Sequence, residues 1–376
     1  MTLRTIPRLG LFLALLAAAC SDGPTDPSSP SPDFSKAQRS FSLYSLSNAT
    51  GGNAVLRFTS RANGTLEAAG SFATGGTGTG AGLGNQGALA LDPDGRWLFA
   101  VNPGSNDVSV FALTGSAPTL VETVASGGSM PISLTFSRGR LYVLNAGGTG
   151  NITGFQVSSL GHLSAIPGST QPLSSSAAGP AQIGFGRNGR FLVVTEKMTN
   201  MITVYPVGPG GAAGAPQPQP SHGMTPFGFA FDRQGLLIVS EAFGGAPGQS
   251  AVSSYSLGED GTLNLVTGSL GTTQTAACWI VLTPGGRFGY TTNTGSADVS
   301  GFSLLPTGSL TLLDTDGITG TTGTAPIDAA IGGHFLYTLN SGSTSISGFA
   351  VGEDGSLQPV GNLAGLPAGG TGLVAR

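Results

Sequence analysis

Residues 179–205 read GPAQIGFGRNGRFLVVTEKMTNMITVY. The stretch predicts three consecutive strands, Ala181–Phe185, Phe191–Thr195 and Met201–Tyr205. The turn Arg187-Asn188-Gly189 joins the first two, and the loop Glu196-Lys197-Met198-Thr199-Asn200 joins the last two. Asn-Gly between apolar runs is a hairpin signal, because tight hairpin turns need positive φ at their central residues.

The same pattern recurs along the chain. Aromatic residues of the third strand fall at Phe58, Phe111, Phe155, Tyr205, Tyr255, Phe302 and Phe349, separated by 53, 44, 50, 50, 47 and 47 residues. Second strands end at Asn48, Asn102, Asn145, Glu196, Glu241, Asn293 and Asn340. Turns such as Asn63-Gly64, Asp260-Gly261 and Asp354-Gly355 precede the fourth strand, each followed by Thr or Ser and then Leu. Four short strands per unit of about 45 residues is the signature of a propeller blade, and seven units predict an all-β, seven-bladed β-propeller with four-stranded antiparallel blades. The first unit lacks a first strand, since Phe41 already opens a second one. A spare strand lies within Gly365–Arg376, so the C-terminal segment is expected to complete blade one and close the ring, removing the sheet edges that invite aggregation.

Composition narrows the function classes. Charged residues make up only 9 % of the 376, the net charge is −4, and no Lys/Arg run exists, which argues against nucleic acid as a partner. The 63 glycines and 24 prolines recur at fixed places in the repeat and read as turns. With two cysteines, Cys20 and Cys278, and three scattered histidines, neither a disulfide framework nor a zinc site can be built, and no metal or cofactor is expected.

Residues 1–19 have the shape of an export signal: Arg4 and Arg8, the apolar run Leu9–Leu16, then Ala17-Ala18-Ala19. Small residues directly before Cys20 resemble the lipobox of bacterial lipoproteins. Residues 20–40, with Pro24, Pro27, Pro30 and Pro32 among serines and aspartates, read as a tether. The expected organisation is a signal peptide (1–19), a lipidated Cys20 with its tether (20–40) and a propeller (41–376). Such a protein would be exported and held at the cell envelope by lipid alone.

Asp92-Pro93-Asp94-Gly95-Arg96, Ser126-Gly127-Gly128, Leu141–Asn145, Pro167-Gly168-Ser169, Thr195-Glu196-Lys197, Thr225–Phe229 and Asp354-Gly355-Ser356 resemble bacterial lactonase-family seven-bladed propellers. That family includes 6-phosphogluconolactonases and is similar to the carboxymuconate-cyclising propellers. The resemblance covers 41–376 and implies hydrolysis of a lactone ring, with a glutamate at a second-strand end that Glu196 matches. Catalytic members often carry a histidine near the start of an inner strand. Here those starts read Pro131-Ile132-Ser133, Pro180-Ala181-Gln182, Pro226-Phe227-Gly228 and Pro326-Ile327-Asp328.

Strand alternation sorts the candidate residues. Second-to-third loops and interblade loops share one face, which receives Glu196, Lys197, Asn200, His222, Glu241 and Gln274, with Gln182, Trp279 and Asp328 at its channel mouth. The other face carries the turn arginines, among them Arg96, Arg138, Arg233 and Arg287. Glu196 and Glu241 replace the asparagine that ends the other five second strands. Two nearby carboxylates push their pKa values apart and could divide acid and base work; equally, each could be a hydrogen-bonded loop residue. In the catalytic reading Glu196, with Glu241, activates water, and Lys197 or Asn200 stabilises the oxyanion. Lys197 is the clearest cation on that face, and a phosphate needs several donors, so a neutral lactone or sugar suits the site better than a phosphorylated one. Cys278 reads as a small buried hydrophobe. Trp279 could stack on a sugar or fill the channel. The rival class is a non-catalytic propeller that binds a glycan, peptide or envelope protein through the same face.

Overall fold

The expected repeat is realised as seven antiparallel sheets in the computed structural model, which describes residues 40–376. The proposed signal peptide, Cys20 and nearly all of the tether lie outside the described residues. Blade four, from which the repeat was read, consists of Pro180–Gly186, Phe191–Glu196, Met201–Pro206 and Gln217–Pro220. Its first turn places Asn188 at φ 56° and Gly189 at φ 79°, the pair of positive angles that the Asn-Gly signal demands. Blades three and six split the fourth strand into two short pieces, so each has five strands.

Ring closure follows the sequence expectation. Thr371–Ala375 pairs antiparallel with Ser42–Leu46, making the last strand of the chain the innermost strand of blade one. Blade seven is then locked to blade one by the Tyr337 hydroxyl, which donates to the Gly64 carbonyl at 2.7 Å. Tyr142 to Gly211 and Tyr290 to Gly355 repeat this contact at 2.7 Å in blades three and six. Gly64 and Gly355, which accept such a bond, are held a second way as well. They adopt φ of 84° and 88°, and a Cβ on them would strike Phe335 and Phe288 of the preceding blade.

The core lies between blades rather than at the centre. Second-strand residues such as Leu98, Phe99, Val193, Ile238 and Leu336 are fully buried, packed against neighbouring blades. Around the axis, the first strands of blades three, four, six and seven each carry one extra residue just after their first pair: Ile132, Ala181, Cys278 and Ile327. In blade five the register slips between Pro226 and Phe229. Such a bulge re-aims the residue that follows it. Those residues are Ser133, Gln182, Trp279 and Asp328, and the candidate site is built on them.

Candidate functional site

Inner strands of a propeller turn one edge to the channel, where their backbone groups need partners. The residues after the bulges supply them. Gln182 bridges to blade five, accepting from the Phe229 N–H at 2.6 Å and donating to the Phe229 carbonyl at 3.0 Å. Ser133 Oγ accepts from the Ile183 N–H at 3.2 Å. Asp328 accepts from the Ala329 N–H at 2.8 Å and from the backbone of Leu373 in blade one. Burial raises the Asp328 carboxyl well above its ordinary range.

The channel mouth on the loop face is filled by the chain itself. Leu83–Gly87, in the connection from blade one to blade two, crosses the axis. Asn85 donates to the Ile132 carbonyl of blade three. The Gln86 N–H donates to Ala181 O of blade four at 3.1 Å. Its side chain pairs with Ile280 of blade six, donating to the carbonyl at 2.8 Å and accepting from the N–H at 3.1 Å. Gly228 leaves room for this: a Cβ there would lie 2.1 Å from Gln86 Oε1. The first strand of blade two is only three residues long, Leu89–Leu91, because the residues that would extend it enter the channel instead.

Two sequence candidates meet this segment. Lys197 Nζ donates to the Gly84 carbonyl and lies 4.7 Å from the Phe227 ring centre. Burial pushes its ammonium down to about 8. Trp279 is buried, its ring 4.9 Å from that of Phe227, and Nε1 donates to the Asn85 carbonyl at 2.5 Å. Both N–H donors thus point at consecutive carbonyl oxygens. Cys278 beside them is a buried free thiol, pushed up to about 12 by that burial, as expected of a small core residue.

The other candidates lie apart from this cluster. Glu196 is fully buried, and its oxygens accept from four donors: the Ser174 N–H at 3.0 Å, the Ser174 hydroxyl, Thr199 Oγ1 at 3.0 Å and Thr203 Oγ1 at 2.8 Å. Glu241, equally buried, accepts from the Gly223 N–H at 2.8 Å, Ser253 Oγ at 2.5 Å and Ser269 Oγ at 2.6 Å. None of these hydrogen-bond partners is shared, so each carboxylate ties together its own blade and the loop that leads into or out of it. Asn200, in the left-handed region at φ 55°, accepts from the Thr225 N–H at 2.7 Å. Asn106 does the same for the Met130 N–H at 2.6 Å two blades earlier. His222 is exposed, with Nδ1 2.9 Å from Ser269 Oγ, and Gln274 donates to the Asp316 carbonyl at 2.8 Å. Among the described residues no cluster of three or more His, Cys, Asp or Glu could hold a metal ion, and no helix is long and apolar enough to cross a membrane.

Behind the Leu83–Gly87 segment the channel widens into a cavity of about 520 Å³. Gln86, Gln182 and Asp328 line one end, and Leu91, Phe185, Phe231 and Ala375 line the other, toward the arginine-bearing turns. The sequence candidates Gln182 and Asp328 therefore face this cavity, while Lys197 and Trp279 hold the segment that closes it. Sequence reasoning missed Asn85, Gln86 and Phe227. The sole available signal was the glycine-rich connection TGGTGTGAGLGNQG, 74–87, unlike any other interblade loop in the chain.

Fold and site together define a closed seven-bladed propeller whose axial mouth presents N–H donors to carbonyl groups. The sequence matches the family described as "Lactonase, 7-bladed beta-propeller" over residues 43–169 and 151–242, and the chain belongs to that family. Among solved structures, the periplasmic gluconolactonase of Pseudomonas aeruginosa is similar at 18 % identity and a TM-score of 0.68, covering 89 % of this chain and 99 % of its own. A candidate 6-phosphogluconolactonase of Bacteroides fragilis aligns at 19 % identity and a TM-score of 0.66, over 91 % of this chain and 99 % of that one. A Lactobacillus plantarum protein aligns at 17 % and 0.69, over 90 % and 100 %. These identities speak to the fold. No curated protein sequence matches the chain.

Proposed function

We propose that this protein is an exported hydrolase of an uncharged lactone, anchored at the envelope through Cys20 and acting at the loop face of its channel. The observation that carries the reading is the pair Lys197 Nζ and Trp279 Nε1, each donating to a carbonyl oxygen at the mouth. A lactone is an ester held in its more reactive geometry. Water adds to its carbonyl carbon, the C–O ring bond breaks, and the product is a hydroxy acid. Donors placed where the oxyanion develops lower that barrier, the more so in a site from which water is excluded. Lys197 is the single lysine of the described residues, and a half-buried ammonium over an aromatic ring is costly unless it has an anionic or dipolar partner. One cation and one indole N–H fit a neutral carbonyl better than a phosphate, which calls for several donors. In this reading Glu196 and Glu241 are positioning residues. Glu196 precedes Lys197 and pins the loop that carries it through Thr199.

The test is hydrolysis of a panel of neutral and phosphorylated five- and six-membered lactones, followed by acid release. Turnover of neutral lactones and a loss of about 100-fold or more in Lys197→Met, as for removal of an oxyanion donor, are expected. No turnover of any lactone, or preference for the phosphorylated ones, overturns the reading.

A further inference from the structure

Resting on that reading, we propose that Leu83–Gln86 is a displaceable internal occupant of the lactone site: its two carbonyls stand where the substrate carbonyl binds, and substrate enters as the segment withdraws. Three observations converge. Lys197 and Trp279, from blades four and six, donate to adjacent carbonyls, those of Gly84 and Asn85, so main-chain groups occupy the donor pair. The segment contains one glycine and is flanked by others, all suited to hinging. Gly80, Gly84 and Gly87 have φ of 72°, 58° and 84°, and Gly82 is exposed with open space around it. Finally, Leu83 is the single apolar side chain the segment buries. The rest of its attachment is hydrogen bonding, which exchanges with water at a net of about 0.5–1.5 kcal/mol per bond.

Withdrawal alone leaves the Lys197 and Trp279 donors unpartnered. That cost falls on the open state, which is why the mouth rests closed. A ligand carbonyl restores the partners and so binds the open state selectively, as any ligand that shifts a conformational equilibrium must. Asn85 and Gln86 set the strength of the closure, because their side-chain amides clamp the segment to Ile132 and Ile280.

The chain has two tryptophans, so Trp97→Phe leaves Trp279 as the sole indole reporter. D-glucono-1,5-lactone is the probe. Saturating lactone should raise acrylamide quenching of Trp279. In the unsubstituted protein it should speed hydrogen exchange of the 83–87 amides while the blade strands stay protected. Asn85→Ala and Gln86→Ala should raise lactone kcat/KM several-fold although they lower Tm, whereas a merely structural segment would lose activity along with stability. Segment opening without hydrolysis supports the displaceable segment and refutes the hydrolase reading. Hydrolysis with Trp279 shielded and the 83–87 amides exchanging as slowly as the blade strands overturns the displaceable segment and leaves the hydrolase reading standing.

Discussion

The Lys197 ammonium sits 4.7 Å from the centre of the Phe227 ring, two blade-spanning side chains that together wall the closed mouth. Its burial gives a pH signature. Lowered to about 8 from 10.5 in the folded state, Lys197 binds a proton less readily than in the unfolded chain. Between pH 8 and 10.5 the unfolded state therefore holds more protons, and stability rises with pH across that window. The cost of the charge is fully present below pH 8. Lys197→Met removes it, so wild type should gain on the variant by on the order of 1–3 kcal/mol between pH 7 and pH 10, allowing for partial exposure. Denaturant melts of both proteins at pH 7, 8.5 and 10 check this. A pH-independent difference would mean that the ammonium is solvated.

Asp328 carries the opposite sign. Burial at one end of the central cavity raises its carboxyl well above the unfolded value. The stability this group contributes is complete below the unfolded pKa near 4 and is lost as pH rises through the folded value. Asparagine keeps the shape and stays neutral. Asp328→Asn should therefore match wild type near pH 4 and become the more stable protein as pH rises. Thermal melts from pH 4 to 9 would reveal the divergence, and parallel curves would contradict it.

What was legible in the sequence was whatever repeats. Blade number and strand order followed from the spacing of Phe111, Tyr205, Phe302 and their equivalents, because every blade must bury the same face against its neighbour, and the closing strand followed from the first strand missing before Phe41 and the spare one within Gly365–Arg376. The site was less legible for a physical reason. It depends on one-residue bulges at Ile132, Ala181, Cys278 and Ile327 and on a segment lying across the axis, and neither leaves a periodic trace. Lys197 could be picked out as the clearest cation of its face, yet its partner Gly84 lies 113 residues away. The asparagine ring was expected to bond loop backbone, and in blades one and three it does, Asn48 donating to the Ala81 carbonyl at 2.8 Å and Asn145 to the Ser126 carbonyl at 3.3 Å. In blades two, six and seven its amide instead reaches side chains of the third strand: Asp107 and Ser109, Asp298 and Ser300, Ser345 and Ser347.

Closure should be tested at its two fastenings separately. Tyr337→Phe removes one buried hydroxyl bond to Gly64 and should cost about 1 kcal/mol. Deleting 371–376 takes away the inner strand of blade one, exposing Leu43 and Leu46 and opening a sheet edge. We expect the truncated protein to aggregate or to unfold at a much lower temperature. Calorimetry showing an unchanged Tm after the deletion would disprove closure by this strand.

Glu196 and Met201 allow the last and most exposed test, because blade six shows the alternative arrangement. There Asn293 ends the second strand and donates to Asp298 at 2.6 Å and to Ser300 at 2.8 Å. Blade four has moved the carboxylate across the pair: Glu196 ends the second strand, Met201 opens the third, and Thr203 donates to the glutamate at 2.8 Å. An amide at 196 would direct N–H groups at Ser174, Thr199 and Thr203, with no acidic acceptor from the third strand. Glu196→Asn alone should therefore cost about 1–3 kcal/mol. Adding Met201→Asp restores the acceptor that Asp298 provides in blade six, and part of the loss should return. A coupling of about 0.5–3 kcal/mol in the double-mutant cycle is the expected mark of a shared network. Urea denaturation of wild type, both single variants and the double variant measures it. Additive losses would show that the two positions do not exchange roles. Glu196→Gln adds the functional arm: for a positioning residue, lactone turnover should fall in step with stability. If turnover vanished while Tm held, Glu196 would instead be the base that activates water.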